Sequence, residues 1–472
     1  MILALVALGV AAPARPIPVR RLFVDASLIE RSSGISLRLH PPRKTGEKAL
    51  QADRPWENAT LNWFTVLKDR GVVDRRARFR MWYECYDVSG WPTADDTSFC
   101  YAESRDGVHW TKPELGLTEY QGGRGNNILF RQVGSGASRS RVHGSCVWID
   151  PAAPPAERYK AVSQGIWQDR QPPHQVAGMV SPDGIHWTRL PEPICAAFAD
   201  SQFTAFRDAT QGKFVLFGRA AGNVGRSESA DFGPFPPLQP VLAVDGSDPP
   251  SSNLYNSAIS RYAGLYLAFP SLYDRRPGID AIDIRLAVSG DGVQWARPDR
   301  DRPFIPLGPS GAWDSGSLYI GQGLIEEGDE VWLYYSGSPL KHQEAELENL
   351  VACKQPRAYS RVTLKRDRFA SASAGSGGGR LETQTLTAGG GALTLNAAIR
   401  PGGSVRVALL GADGKPLKGR GLADCVPLTG DGLRLPVRWR GKAGPAAPAG
   451  AAVRLNMELR DADLFALTLG GR

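Results

Sequence analysis

The segment Ser104-Arg105-Asp106-Gly107-Val108-His109-Trp110 returns as Ser181-Pro182-Asp183-Gly184-Ile185-His186-Trp187, and again as Ser289-Gly290-Asp291-Gly292-Val293-Gln294-Trp295. Ser229-Ala230-Asp231-Phe232 is a worn copy. The copies start at 104, 181, 229 and 289, so the spacing is uneven, and one common unit must carry loops of different length. Asp-Gly is a tight-turn dipeptide, because glycine accepts positive φ without a Cβ clash. The Trp that follows can pack between neighbouring units. The repeat therefore reads as architecture and not as catalytic machinery.

Strand-like runs precede each copy. Phe79-Arg80-Met81-Trp82-Tyr83 and Ser98-Phe99-Cys100-Tyr101-Ala102 lead into the first. Arg158–Val162 with Val176–Val180, Lys213–Phe217, and Leu265–Phe269 with Ile284–Val288 lead into the others. A fifth unit, Glu330–Tyr335 with Ala358–Val362, lacks the Asp-Gly turn. β-Branched and aromatic enrichment makes these strands. Five four-stranded meanders predict an all-β chain with a five-bladed β-propeller over residues 16–365. Beyond Arg366, Gly-rich turns alternate with period-two runs such as Ser404–Leu409 and Val453–Leu459. This pattern predicts a small C-terminal β-sandwich over 366–472, with Asp413-Gly414 and Asp431-Gly432 as turns.

Composition agrees with many turns and short aromatic strands: 53 Gly, 36 Pro, 12 Trp, 13 Tyr and 16 Phe in 472 residues. It excludes collagen, global disorder and coiled coil. The net charge of +8 is spread along the chain, so no nucleic-acid partner is expected. The six Cys form no CxxC pair, which argues against a zinc ribbon or a thioredoxin-type site; buried free thiols are expected, and export would allow one disulfide, for example Cys85 with Cys100. Residues 1–15 open with Met-Ile-Leu-Ala-Leu-Val-Ala-Leu. That apolar run is too short to span a bilayer and resembles a signal peptide without its basic start, so the expectation is an exported, secreted or periplasmic protein with no integral membrane segment.

In a propeller, the residues just before each inner strand converge on one face. These entrances hold Trp56-Glu57-Asn58, His143-Gly144-Ser145, Asp200-Ser201-Gln202, Asn253-Leu254-Tyr255-Asn256 and Trp313-Asp314-Ser315-Gly316. Glu57, Asp200 and Asp314 are the candidate catalytic carboxylates. Glu84, after Trp82-Tyr83, and Glu228 are alternative acids. Converging carboxylates suit glycoside chemistry, where one acid protonates the leaving oxygen and a second activates water or attacks the anomeric carbon. Trp56, Trp313 and Tyr255 offer flat faces for sugar rings, and His143, Gln202 and Asn256 offer polar contacts. Any single acid at a strand start could instead cap backbone N–H groups, and His143 could make a structural hydrogen bond. No G-x-S-x-G, H-E-x-x-H or Walker A loop occurs, and no dedicated metal site or cofactor is expected, although Asp and carbonyl oxygens on the axis could take calcium.

These residues resemble the five-bladed propeller superfamily of glycosidases, which includes arabinanases, xylosidases and invertases. The resemblance covers roughly Trp56 to Leu467. It is carried by Trp82-Tyr83, Tyr101-Ala102-Glu103-Ser104, Asn126-Asn127-Ile128, Gly225-Arg226-Ser227-Glu228-Ser229, Trp313-Asp314-Ser315-Gly316 and Leu459–Leu464. More closely, the chain resembles an exported bacterial group with a C-terminal β-sandwich. The resemblance implies three acids at inner-strand starts, matched by place by Glu57, Asp200 and Asp314, and a poly- or oligosaccharide substrate. The invertase motifs W-M-N-D-P-N-G and R-D-P are absent, and His143 stands where arabinanase-type enzymes carry a modulating Asp. The expected function is a glycoside hydrolase. The alternatives are a carbohydrate-binding propeller without catalysis and a protein-interaction scaffold.

Overall fold

A computed structural model describes residues 19–72, 74–87, 96–132, 142–167, 169–197, 200–345, 357–442 and 444–470. The signal-like segment 1–15 lies outside them. The described chain is all-β with a few short 3₁₀ turns, and no described helix is long and apolar enough to cross a membrane.

Three antiparallel meanders form separate four-stranded sheets. The first holds Thr60–Lys68, Phe79–Asp87, Asp96–Ser104 and Ile128–Gln132. The second holds Cys146–Ile149, Tyr159–Ile166, His174–Ser181 and Thr188–Cys195. The third holds Thr204–Asp208, Lys213–Ala220, Asn223–Ser229 and Gln239–Leu242. Two further meanders begin at Asn253–Tyr262 and Ser317–Ile320 and are joined by a parallel bridge, Ile282 to Ser317. The outermost strand of the last is Arg43–Lys44, which pairs with Ala358–Lys365. The sequence pattern missed that strand, because two basic residues carry no alternation.

The first strands of successive meanders are neighbours, and the last returns to the first. Val66 N donates to Gln322 O and Gln322 N to Phe64 O, both at 2.9 Å. Side chains tie the same ring. Gln202 Nε2 donates to Phe64 O and Ser145 O at 2.8 Å. Thr204 Oγ1 lies 2.8 Å from both Ser257 O and Gln322 Oε1. Buried amide donors bonded in this way fix the arrangement where these first strands crowd together.

The repeat is a turn built three times. Gly107, Gly184 and Gly292 have φ of 75°, 75° and 78°. In each copy the Ser hydroxyl accepts the Gly N–H, and one Asp carboxylate oxygen accepts the next two N–H groups, as Asp183 Oδ1 does from Ile185 and His186 at 2.8 Å. Burial pushes Asp183 up, but the hydrogen bonds from His186 and Ile185 prevail and hold it at about 2. The turn leans on the preceding meander: Trp82 Nε1 donates to Gly184 O at 2.6 Å, and Tyr334 Oη to Gly107 O at 2.7 Å. A Cβ on Gly184 would stand 2.8 Å from Trp82 Cζ2, so glycine is required by space as well as by φ.

The described residues of Met1–Arg38 and Ala370–Arg472 form a second compact unit, separate from Leu39–Phe369. The expected boundary at residue 16 therefore moves, because Val19–Leu22 pairs with Ala452–Leu469 and Ile29–Ser33 with Gly379–Thr383. These short strands cover sheet edges that would otherwise be open. The Ser404–Leu409 run is the second part of one long strand, Leu393–Leu410, which has register shifts. Asp413-Gly414 is a turn, but Asp431-Gly432 enters the strand Asp431–Pro436, and the turn falls to Gly430 at φ 82°. Cys85 and Cys100 are free thiols 3.5 Å apart: Cys100 faces Tyr83, and Cys85 faces Ser98, so the two meet only diagonally.

Candidate functional site

Glu57 and Asp314 sit before inner strands, as expected, and both are occupied. Glu57 is fully buried in the 3₁₀ turn Pro55–Glu57. Its Oε1 accepts Tyr83 Oη at 2.6 Å, and its Oε2 accepts Lys112 Nζ at 2.7 Å and the Asp53 and Arg54 N–H groups. Asp314 Oδ2 accepts Lys44 Nζ at 2.6 Å and Tyr335 Oη at 2.8 Å. The two arrangements match: an entrance acid, a Tyr from the second strand and a Lys from elsewhere. Trp56 belongs to the first of them through Asn127, whose Oδ1 takes its indole N–H at 3.0 Å. Trp313 stacks on Tyr335 at 5.8 Å. Glu228 is near the far end of Asn223–Ser229, paired with Lys213 at 2.6 Å and Arg226 at 2.9 Å. None of these three acids joins the others.

Asp200, Glu84 and His143 do come together. His143 is buried with its two ring nitrogens facing two acids: Nδ1 is 3.9 Å from Glu84 Oε2, and Nε2 is 3.4 Å from Asp200 Oδ1. Asn62 Nδ2 donates to Tyr86 Oη at 2.7 Å, and Tyr86 Oη lies 2.9 Å from His143 Nδ1. Arg357 Nη1, 3.4 Å from Asn62 Oδ1, sets the orientation of that amide. In the tautomer that takes the Tyr86 hydroxyl hydrogen on Nδ1, the Nε2–H faces Asp200.

The two acids have different surroundings. Asp200 has a side chain 53% exposed. Glu84 is fully buried; Oε1 accepts Ser145 N–H at 2.6 Å, and Oε2 has no hydrogen-bond partner. Burial raises the Glu84 carboxyl above its ordinary range, against the opposing pull of His143 and the Ser145 hydrogen bond.

Aromatic rings wall this cluster. Trp63 is edge-on to His143 at 6.2 Å and to Tyr319 at 5.6 Å, and lies near-parallel to Tyr255 at 6.3 Å. His342 packs against Tyr255 at 4.7 Å and Tyr273 at 4.5 Å, and its Nδ1 is 2.5 Å from Tyr319 Oη. Burial, then the positive charges of Arg357 and Arg219, lowers His342 to about 4, so its ring is neutral near pH 7. Arg219 lies 4.6 Å over Tyr255, and Arg357 lies 4.4 Å over Tyr319. Trp63 Nε1, Glu84 Oε2, His143 Nε2 and Arg357 Nε are buried here without a hydrogen-bond partner.

Of the expected binding residues, Tyr255 and His143 belong to this wall. Gln202 and Asn256 lie beneath it, bonded to inner-strand carbonyls. Trp63, Tyr86, Arg219, Tyr273, Tyr319, His342 and Arg357 were missed. Several stand at the ends of second strands or just after them, positions that reach the same face as the entrances. Among the described residues no group of three or more His, Cys, Asp or Glu could hold a metal.

No family model and no curated protein matches the sequence. Solved structures similar to this chain include the Bombyx mori GH32 beta-fructofuranosidase (11% identity, 92% of this chain and 93% of that one, TM-score 0.41). A family 117 glycoside hydrolase of Zobellia galactanivorans is similar at 12% identity over 70% of this chain and 90% of that one, with TM-score 0.39. An N-acetylgalactosamine deacetylase from F. plautii is similar at 15% identity over 71% and 96%, with TM-score 0.44.

Proposed function

We propose that the five meanders close as a five-bladed β-propeller, followed by a C-terminal β-sandwich, and that the protein is an exported glycoside hydrolase acting on a poly- or oligosaccharide. The observation that carries the reading is the pair of carboxyl groups, Asp200 and Glu84, on opposite sides of His143 beside an aromatic wall with unpartnered polar atoms. Asp200, open to solvent, meets the substrate as base or nucleophile. His143 Nε2 faces that carboxylate at 3.4 Å. Glu84 retains a proton to higher pH than an exposed carboxyl, as a general acid requires. Trp63, Tyr255 and Tyr319 offer apolar faces to a sugar ring.

Screening polysaccharides and aryl-glycosides with the intact chain and with Asp200→Asn tests this reading. The variant is expected to lose about 10²–10⁴-fold in turnover with an unchanged melting temperature. Equal turnover by the variant would remove Asp200 from the mechanism. A second reading, carbohydrate binding without hydrolysis, is favoured by the complete burial of Glu84. Binding of a glycan by the intact chain without release of reducing ends would select it.

A further inference from the structure

The charges of the site divide unevenly between partnered and unpartnered groups. The acids have companions: Asp200 faces His143, and Asp280 accepts Tyr273 Oη at 2.6 Å and Gln343 N–H at 2.9 Å. The two arginines do not. Arg357 is 8% exposed, its Nε has no partner, and among the described residues no carboxylate lies within ion-pair distance. Among the described residues its one hydrogen bond is the 3.4 Å contact from Nη1 to Asn62 Oδ1. Arg80 and Arg226, comparably buried, each have a carboxylate, Asp69 at 3.9 Å and Glu228 at 2.9 Å. Arg219 has the Tyr255 ring and, among the described residues, no carboxylate within ion-pair distance. The supporting rings Tyr255 and Tyr319 are themselves 5.8 Å apart, and both guanidinium groups act on His342.

A buried guanidinium is costly unless something satisfies its fork of donors. An aromatic face offsets part of that cost but takes none of the N–H groups. The planar fork matches an oxyanion with two acceptor oxygens. We propose that Arg357 and Arg219 recognise an anionic substituent, a uronate carboxylate or a sulfate ester, on the saccharide this site takes. The inference rests on the carbohydrate reading and names the class of sugar within it. Asp200 then acts next to a substrate charge that the arginines neutralise.

Tryptophan-fluorescence titration of the intact chain at low temperature tests this with two matched pairs. One pair is trigalacturonate and its carboxyl-reduced form, and the other is a sulfated galactan trisaccharide and its desulfated form. The acidic member of one pair should bind at least tenfold tighter than its neutral partner, and which pair does so identifies the group. Arg357→Gln should erase the preference, and Arg357→Lys should restore part of it. If Arg357→Gln fails to fold, Arg219→Gln and the intact-chain comparison decide. Equal or tighter binding of the neutral members, no binding of either acidic member, or equal weakening of both members by Arg357→Gln overturns the proposal. Release of reducing ends is measured separately, so an acid-sugar preference without turnover would overturn the hydrolase reading alone.

Discussion

Glu57 and Asp200 hold corresponding places, each just before an inner strand, and they have opposite fates. Glu57 is fully buried and engaged by Lys112, Tyr83 and two backbone N–H groups. Asp200 stays half exposed, beside the Nε2 of His143. Asp314 follows Glu57, with Lys44 and Tyr335 as its partners. Position in a repeat therefore does not assign a role. A second-strand Tyr and a Lys from another segment reach Glu57 and Asp314, whereas Asp200 faces a His ring and keeps about half of its side chain exposed.

The largest test of this contrast is catalytic. Asp200→Asn should cost about 10²–10⁴-fold in turnover, whereas Glu57→Gln should leave the turnover of folded molecules within about twofold. Inverted results would reverse the assignment of the two acids. Stability should show the opposite ranking. In Glu57→Gln, Lys112 keeps Asp53 and the Gln51 carbonyl, but an NH2 group replaces one of the two accepting oxygens among the Tyr83 hydroxyl and the Asp53 and Arg54 N–H groups, and the loss in urea unfolding should be about 3–5 kcal/mol. Asp314→Asn should cost less, about 1–3 kcal/mol, because Lys44 is 24% exposed and can turn to water. A loss under 1 kcal/mol at Glu57 would mean that its network is not structural.

His342 gives a pH signature to the available half of the comparison. Its folded pKa of about 4 is below the ordinary value of 6.5. The unfolded chain therefore binds more protons between those values, and stability falls as pH drops through that window. The effect is up to about 3 kcal/mol, fully present above pH 6.5 and lost by pH 4. Comparison of intact chain and His342→Asn by thermal melts from pH 7 to 4 should isolate that slope, and parallel curves would remove His342 as its source. The smallest effect belongs to Glu228, paired at the surface with Lys213 and Arg226. Glu228→Ala should change stability by no more than about 0.5–1 kcal/mol and leave turnover unaltered.

The Asp-Gly turns were legible because every atom of their logic is local: a Ser, an Asp and a positive-φ Gly within four residues. The strands beside them were legible from alternation and aromatic content. Asp200, Glu84 and His143 could be named from their places near strand starts and in the loop after Trp82-Tyr83. Their separation from Glu57 and Asp314 could not, because Lys112 and Lys44 reach those acids across 55 and 270 residues. His342 and Arg357 were silent for a related reason. They flank the segment between two strands of the last meander, and nothing in their sequence neighbours signals Tyr319, 23 residues before His342.

The sequence by itself determined that the chain is all-β, where its turns fall and which acids stand at strand entrances. These follow from backbone preferences and short-range hydrogen bonds. The tertiary structure alone decided which acids are neutralised, how Arg43–Lys44 and the strands before Arg38 find distant partners, and that two arginines share an aromatic wall with Asp200. The physical reason is that charge pairing, burial and sheet-edge pairing depend on distance in space, which the order of residues along the chain does not contain.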